Sequence, residues 1–321
     1  GRRPWMSARL QASHGASYAL GMNPSPTVGC LRLHVEDPVQ CVPIPTWVLH
    51  PAKAPLQPVR FGPYELDVAE NAEVVGERLP IVVLSHGNGG SPWTHRETAS
   101  HLVRAGFVVA LLEHPGNGRS DNSLAFTAAN LANRPRHVRL VLDALIGDPR
   151  LVPHVDPSSV AIVGHSIGAY TALALAGGRP TSLPEEETDY VAKPVPVVRD
   201  PRVRALVLLT PAAVWYREPG SLADVDAPIL MRTGACDEHA PPIHRAIVLG
   251  GLPHPERIDE RVIPNAGHFS FQSPFPPAMT RPDFPPSQDP PGFDRASYQP
   301  VLNAELEAFL RRTLAPSPKD A

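Results

Sequence analysis

Three short stretches of this chain carry the residue types needed for nucleophilic catalysis. Ser166 lies in Gly164-His165-Ser166-Ile167-Gly168, Asp237 in Thr233-Gly234-Ala235-Cys236-Asp237, and His268 in Ile263-Pro264-Asn265-Ala266-Gly267-His268-Phe269. A neutral serine hydroxyl is a weak nucleophile. It needs a base to take its proton, and the base needs an acid to fix its tautomer. The order Ser, acid, His is the order in which strand-to-helix elbows of this type are followed by their partners.

The context of Ser166 says more than the pentapeptide. The β-branched run Val160-Ala161-Ile162-Val163 feeds it, and the helix-forming run Ala169-Tyr170-Thr171-Ala172-Leu173-Ala174-Leu175 follows. A serine on such a turn takes unfavourable backbone angles and stands clear of the sheet. Asp237 follows an apolar run on a glycine-bearing loop. Glu238 is its immediate rival, whereas Asp224 and Asp226 precede the same strand and so fall at its wrong end. With 14 histidines in the chain, a lone histidine means little. His268 has a strand before it and a glycine that lets the loop turn. His239, His244 and His254 stand in polar, proline-rich surroundings and read as surface residues.

An attacked carbonyl develops a negative oxygen, which needs two N–H donors. The Ile167 N–H, at a helix N-terminus, supplies one, with help from the helix dipole. The Asn88 N–H, in Ser85-His86-Gly87-Asn88-Gly89-Gly90, supplies the other. Trp93, Phe269 and Phe271 are candidate substrate-pocket walls that also read as ordinary packing. His86 and His165 read as structural groups under the site. Gly116-Asn117-Gly118 lacks the Gly-Lys-Ser/Thr continuation of a phosphate loop.

These residues need a scaffold. Ile81–Ser85, Phe107–Leu112, Val160–Val163, Ala205–Leu209 and Ile229–Thr233 are continuous apolar runs, as strands buried on both faces are. Glu260–Ile263 reads as the last strand. Leu31–Val35 and Thr46–His50 alternate like antiparallel edge strands. Helices are predicted over Thr94–Ala105, from Pro135 with Val138, Val141, Leu142 and Leu145 on one face, and over Val301–Leu314. Pro51–Pro80 reads as a loop-rich connection. The pattern is α/β, with a mostly parallel sheet covered on both faces. Residues 27–321 read as one domain, with an insertion at 177–204 that is either a lid or a solvated loop. Residues 1–26 read as disordered or tag-like.

Composition narrows the function classes. A net charge of −3 gives no reason to expect nucleic acid or an anionic membrane as partner. The 3 cysteines, Cys30, Cys41 and Cys236, have no metal-ligand spacing, and indifferent thiols are expected rather than a Cys30–Cys41 bridge. No apolar run of about 18 residues would span a membrane. The start of the chain has no signal-like apolar core, so a cytoplasmic location is expected. The 41 prolines cluster near the N-terminus and between Pro274 and Pro300, where an ordered or semi-ordered loop is expected.

With these motifs in hand, the chain resembles the α/β-hydrolase superfamily from about Leu31 to Leu314. Within it the chain is similar to dienelactone hydrolase-related and platelet-activating-factor acetylhydrolase-like esterases. The resemblance rests on Leu84–Gly90, Val108–Pro115, Gly164–Gly168 and Ala266–Phe271. In the acetylhydrolases the acid follows the strand just after the nucleophile helix, and here Thr210 holds that place. Asp237–Pro241 is instead similar to the acid loop of cutinase-like polyesterases, one strand later. Dienelactone hydrolases proper use a cysteine where this chain has Ser166. The resemblance implies a cofactor-independent, metal-free serine esterase acting on a small-molecule ester. Amidase, thioesterase, lactonase or perhydrolase activity would use the same residues, and a non-catalytic binding module would need a broken triad.

Overall fold

The computed structural model describes residues 25–315. Nearly all of the segment expected to be disordered, 1–26, therefore lies outside the described residues. In chain order the elements begin with β1 (Thr27–Leu33), β2 (Glu36–Asp37), β3 (Val42–Pro43), β4 (Thr46–Ala52), β5 (Gln57–Phe61), β6 (Tyr64–Glu70) and β7 (Leu79–Ser85). Then come α1 (Arg96–Arg104), β8 (Val108–Leu112), α2 (Ala128–Gly147), β9 (Val155–His165) and α3 (Ile167–Ala176). The chain continues with β10 (Val203–Leu209), β11 (Ile229–Gly234), α4 (Pro242–Gly251), β12 (Ile258–Ile263) and α5 (Arg295–Leu314).

Ten strands form one sheet in the order β12-β11-β10-β9-β7-β8-β4-β1-β6-β5, and β2 and β3 pair separately. From β12 to β8 every pairing is parallel, and β4 is antiparallel to both β8 and β1. The apolar runs are continuous because both faces are covered. In β7, Ile81 and Val83 join the core beneath α2 and α3, while Val82 and Leu84 join the core beneath α1 and α5. Each fully buried aliphatic of this kind is worth about 1.5–3 kcal/mol relative to exposure. Parallel strands also deliver all their C-terminal ends to one edge of the sheet, where the loops after β7, β9, β11 and β12 meet.

The structure corrects several expectations. The two N-terminal strands are interior, because the stretch expected to be loop folds into the hairpin β5–β6, which takes the edge. Its two-residue loop is Gly62-Pro63, and Gly62 has φ +61°, the positive value that primed hairpin turns require. Pro135 does not open a helix. Thr127 caps α2, and Pro135 lies within it. A proline there removes the N–H that would bond the Leu131 carbonyl, and the Tyr170 hydroxyl donates to that carbonyl instead at 3.0 Å. Likewise α5 begins at Arg295, capped by Asp294, and runs through Pro300.

The proline-rich stretch before α5 is an ordered loop with turns at Pro277–Met279 and Pro285–Ser287. Arg295 fastens it by donating to Asp289 and to the Pro286 carbonyl. The 177–204 insertion closes on itself through a Thr181–Pro194 bridge. It is tied to the loop after β10 by Trp215 Nε1, which donates to the Glu186 carboxylate at 2.8 Å. Cys30 and Cys41 are not bridged. Burial pushes the Cys30 thiol up to about 12, so it is inert as a nucleophile.

Candidate active site

Ser166 joins the end of β9 to the start of α3 with φ +57° and ψ −120°. For a residue other than glycine this costs on the order of 1–3 kcal/mol, and the surroundings hold it there. The Ser166 N–H donates to the Leu209 carbonyl at 3.0 Å, and the Ser166 carbonyl accepts from Ala169 and Ala212. The flanking glycines are needed for space. A Cβ on Gly164 would collide with the Gly168 carbonyl, and one on Gly168 with the Ser85 carbonyl. A Cβ on Gly87 would lie 3.0 Å from His165 Nδ1 and 3.3 Å from Ser166 Cβ. The 86–90 loop therefore runs directly against the serine.

That loop is a tight turn. The Gly87 carbonyl accepts from the Gly90 N–H at 3.0 Å and from His86 Nδ1 at 2.7 Å. Asn88 is exposed, and its Oδ1 accepts from Asn117 Nδ2 at 2.7 Å. Ile167 is the first residue of α3, so its N–H has no partner within the helix.

Asp237 and His268 are brought together. The His268 Nδ1 lies 3.0 and 2.9 Å from the two Asp237 carboxylate oxygens. Their side chains are 6% and 2% exposed, so water screens the pair little. Asp237 Oδ1 also accepts the His239 and Ala240 N–H groups at 2.9 and 2.8 Å. The two loops are knitted by backbone: Cys236 N–H donates to the Ala266 carbonyl, and Ala235 N–H to the Ile263 carbonyl. The rival Glu238 is exposed, and the Asp237 carboxylate holds the Nδ1 position it would need.

The backbone carbonyl of His268 accepts from His165 Nε2 at 2.8 Å and from Thr210 Oγ1 at 3.4 Å. Thr210, where the resembled acetylhydrolases carry their acid, is buried with φ +44°. That is a strained setting for a β-branched residue.

The aromatic expectations divide. Trp93 is buried against Trp47 and Phe61, and Phe271 is buried against Tyr298. Both are core packing rather than pocket walls, because their rings are spent on protein contacts. Phe269 is half-buried, edge-on to His268 and His239 with ring centres 5.2 and 5.1 Å away. His244 is half-buried rather than a surface residue, since its Nδ1 accepts the Ala213 N–H at 2.8 Å.

Beneath the 86–90 loop lies a polar network for which no sequence motif stands out. His137 Nε2 faces Asp37 Oδ2 at 3.2 Å, and its Nδ1 faces His114 Nδ1, also at 3.2 Å. His114 Nε2 lies 2.9 Å from Ser85 Oγ, and the His114 N–H donates to His86 Nε2. Neutral rings satisfy every link: His137 donates from Nε2 to Gln40 Oε1 at 2.5 Å, beside the Asp37 carboxylate, His114 donates to His137, and Ser85 donates to His114. Burial pulls His86 and His137 down to about 3. It also holds His114 and His165 well below the ordinary histidine value. Among the described residues, no group of three or more His, Cys, Asp or Glu is placed to hold a metal ion. No helix there is long and apolar enough to cross a membrane.

Comparison with known proteins agrees with this architecture. A family profile described as alpha/beta hydrolase fold matches residues 80–185. The chain covers 94% of a ferulic acid esterase from Streptomyces cinnamoneus, with a TM-score of 0.66 and 20% identity over 94% of its own length. A dienelactone hydrolase-like promiscuous phosphotriesterase from metagenomic libraries gives a TM-score of 0.60 at 18% identity, over 90% of this chain and 100% of that one. The chain has the α/β-hydrolase fold.

In sequence it is 27% identical over 192 residues to an uncharacterized protein of Mycobacterium tuberculosis, 59% of this chain and 63% of that one. It is 31% identical over 121 residues to a 2-hydroxy-6-oxononadienedioate/2-hydroxy-6-oxononatrienedioate hydrolase of Pseudomonas putida, 37% of this chain and 39% of that one. The chain thus spans less than two thirds of the length of these relatives.

Proposed function

We propose that this chain is a hydrolytic enzyme, a cofactor-independent serine carboxylic-ester hydrolase that works through an acyl-enzyme on small-molecule esters. The observation that carries the reading is the Asp237 carboxylate seated on His268 Nδ1, at the sheet edge where the β9–α3 turn presents Ser166. Asp237 acts as orienting acid. It keeps the hydrogen on Nδ1 and so leaves Nε2 free as the base.

Ser166 Oγ attacks the ester carbonyl while His268 Nε2 takes its proton. The Ile167 and Asn88 N–H groups receive the tetrahedral oxyanion. His268 then returns the proton to the leaving alcohol, which departs and leaves the acyl group on Ser166. Water, deprotonated by His268, attacks that ester, and the acid is released with the serine restored. Phe269, half-buried and edge-on to His268, lines the path of one substrate arm. The ferulic acid esterase and dienelactone hydrolase-like proteins of the same fold agree with ester chemistry.

The test is Ser166→Ala on short p-nitrophenyl esters, with fluorophosphonate labelling of the parent. The variant is expected to fold, to lose the acylation burst and to escape labelling. Hydrolysis that survives the substitution would overturn the reading. A panel of esters, thioesters and amides then fixes the leaving group.

A further inference from the structure

We propose that Arg134 is a positioning residue, one guanidinium that aligns both oxyanion donors; this rests on the assignment of Ser166 as nucleophile. Arg134 is fully buried on α2, and its donors reach three separate elements. Nε donates to Thr171 Oγ1 on α3 at 3.1 Å. Nη1 donates to Asn117 Oδ1, in the loop after β8, at 2.6 Å. Nη2 donates to Ser85 Oγ at 3.2 Å and to the His86 carbonyl.

Each contact passes to a candidate donor in one step. Thr171 Oγ1 also donates to the Ile167 carbonyl at 3.1 Å. Asn117 Nδ2 donates to Asn88 Oδ1. The His86 carbonyl is the backbone group from which the Gly87-Asn88 turn departs. The planar fork of a guanidinium can span three elements at fixed angles, whereas an ammonium cannot.

The charge has a second consequence. All four acceptors are uncharged. The nearest carboxylate in the network, Asp37, is reached only through Ser85, His114 and His137, and is itself paired with Arg136 at 2.7 Å. A buried cation without a direct anion is costly to the fold. Here it leaves a positive field in a low-dielectric setting under the loop that meets the developing oxyanion.

The experiment compares Arg134→Gln, Arg134→Lys and Asn117→Ala with the parent and with Ser166→Ala. Circular dichroism and Tm serve as fold checks. In the folded Asn117→Ala and Arg134→Gln variants, kcat on a p-nitrophenyl ester is expected to fall roughly 10–100-fold, with KM within about twofold. Affinity for a phenylboronate that mimics the tetrahedral state should fall by the same factor. Arg134→Lys, which keeps the charge but not the fork, should fall between. If Arg134→Gln does not fold, Asn117→Ala carries the test alone.

Unchanged kcat in the folded variants overturns the proposal, as does a stability loss with boronate affinity intact. Hydrolysis surviving in Ser166→Ala would instead remove the nucleophile assignment, and this inference with it. An inactive Ser166→Ala beside fully active Asn117→Ala and Arg134→Gln removes the Arg134 role alone.

Discussion

His165 Nε2 donates to the backbone carbonyl of His268 at 2.8 Å, and the two rings lie 5.1 Å apart. The second residue of the glycine-flanked pentapeptide therefore sets the His268 loop relative to Ser166. His165 donates from Nε2 and is held neutral chiefly by burial, so it serves as a fixed link rather than a proton carrier. His165→Ala is expected to lower kcat on the order of 10–100-fold through misplacement of His268. His165→Gln, which keeps a donor, should recover part of that loss. Steady-state kinetics on one ester would check both.

The acid can be assigned by a paired substitution. Asp237→Asn preserves shape but no longer enforces the His268 tautomer, and kcat is expected to drop by about 10⁴. Glu238→Gln, on an exposed neighbour, should leave kcat within about twofold. If the two effects were reversed, the acid would be Glu238.

Stability should fall in mild acid. His86 and His137 are held near 3 and His95 near 4, in each case chiefly by burial. An unfolded histidine protonates near 6.5. Below that pH the unfolded chain binds protons that the folded chain refuses. The stability is therefore complete above about 6.5 and is lost as pH falls toward 3–4. Each group contributes a slope of about 1.4 kcal/mol per pH unit, so these three together cost about 4 kcal/mol one unit below 6.5. Urea unfolding from pH 7 to pH 5 should show at least this slope, since His114 and His165 are held down by burial as well, and His95→Phe should reduce it by about one proton.

Pro135 and Tyr170 should be energetically coupled. Tyr170→Phe leaves the Leu131 carbonyl buried without a donor, at about 1–3 kcal/mol. With Pro135→Ala in place, the new N–H supplies that donor, and Tyr170→Phe should cost about 1 kcal/mol less. A double-mutant cycle by denaturant unfolding reads the difference, and strict additivity would contradict the hydrogen-bond exchange seen here.

What could be read from the sequence was local. The buried strands announce themselves as apolar runs, and the elbow announces itself by glycines that clear the Gly168 and Ser85 carbonyls. The juxtaposition of Asp237 and His268 was legible because each follows a strand on a glycine-bearing loop. The hairpin β5–β6 was missed because the five prolines and two glycines of Pro51–Pro80 mask the alternation of Val59, Phe61, Tyr64 and Leu66. Pro135 and Pro300 misled because a proline inside a helix is tolerated only with a distant replacement donor or a favourable position, and neither shows in the chain. Arg134 was invisible for the same reason: its partners lie on three elements, and no periodicity marks a buried guanidinium.

Among the described residues, the ten-stranded sheet ends in β5 on one side and β12 on the other. An open edge of such length is a template on which another extended chain can hydrogen-bond. In β5, Pro58 withholds one N–H and Arg60 adds a charge. In β12, Asp259, Glu260 and Arg261 place three charges in succession. Both margins are thus poorly suited to strand addition. The same sheet that gathers the loops bearing Ser166, Asp237 and His268 at one edge is guarded laterally against fibril-like growth, a risk that rises with concentration.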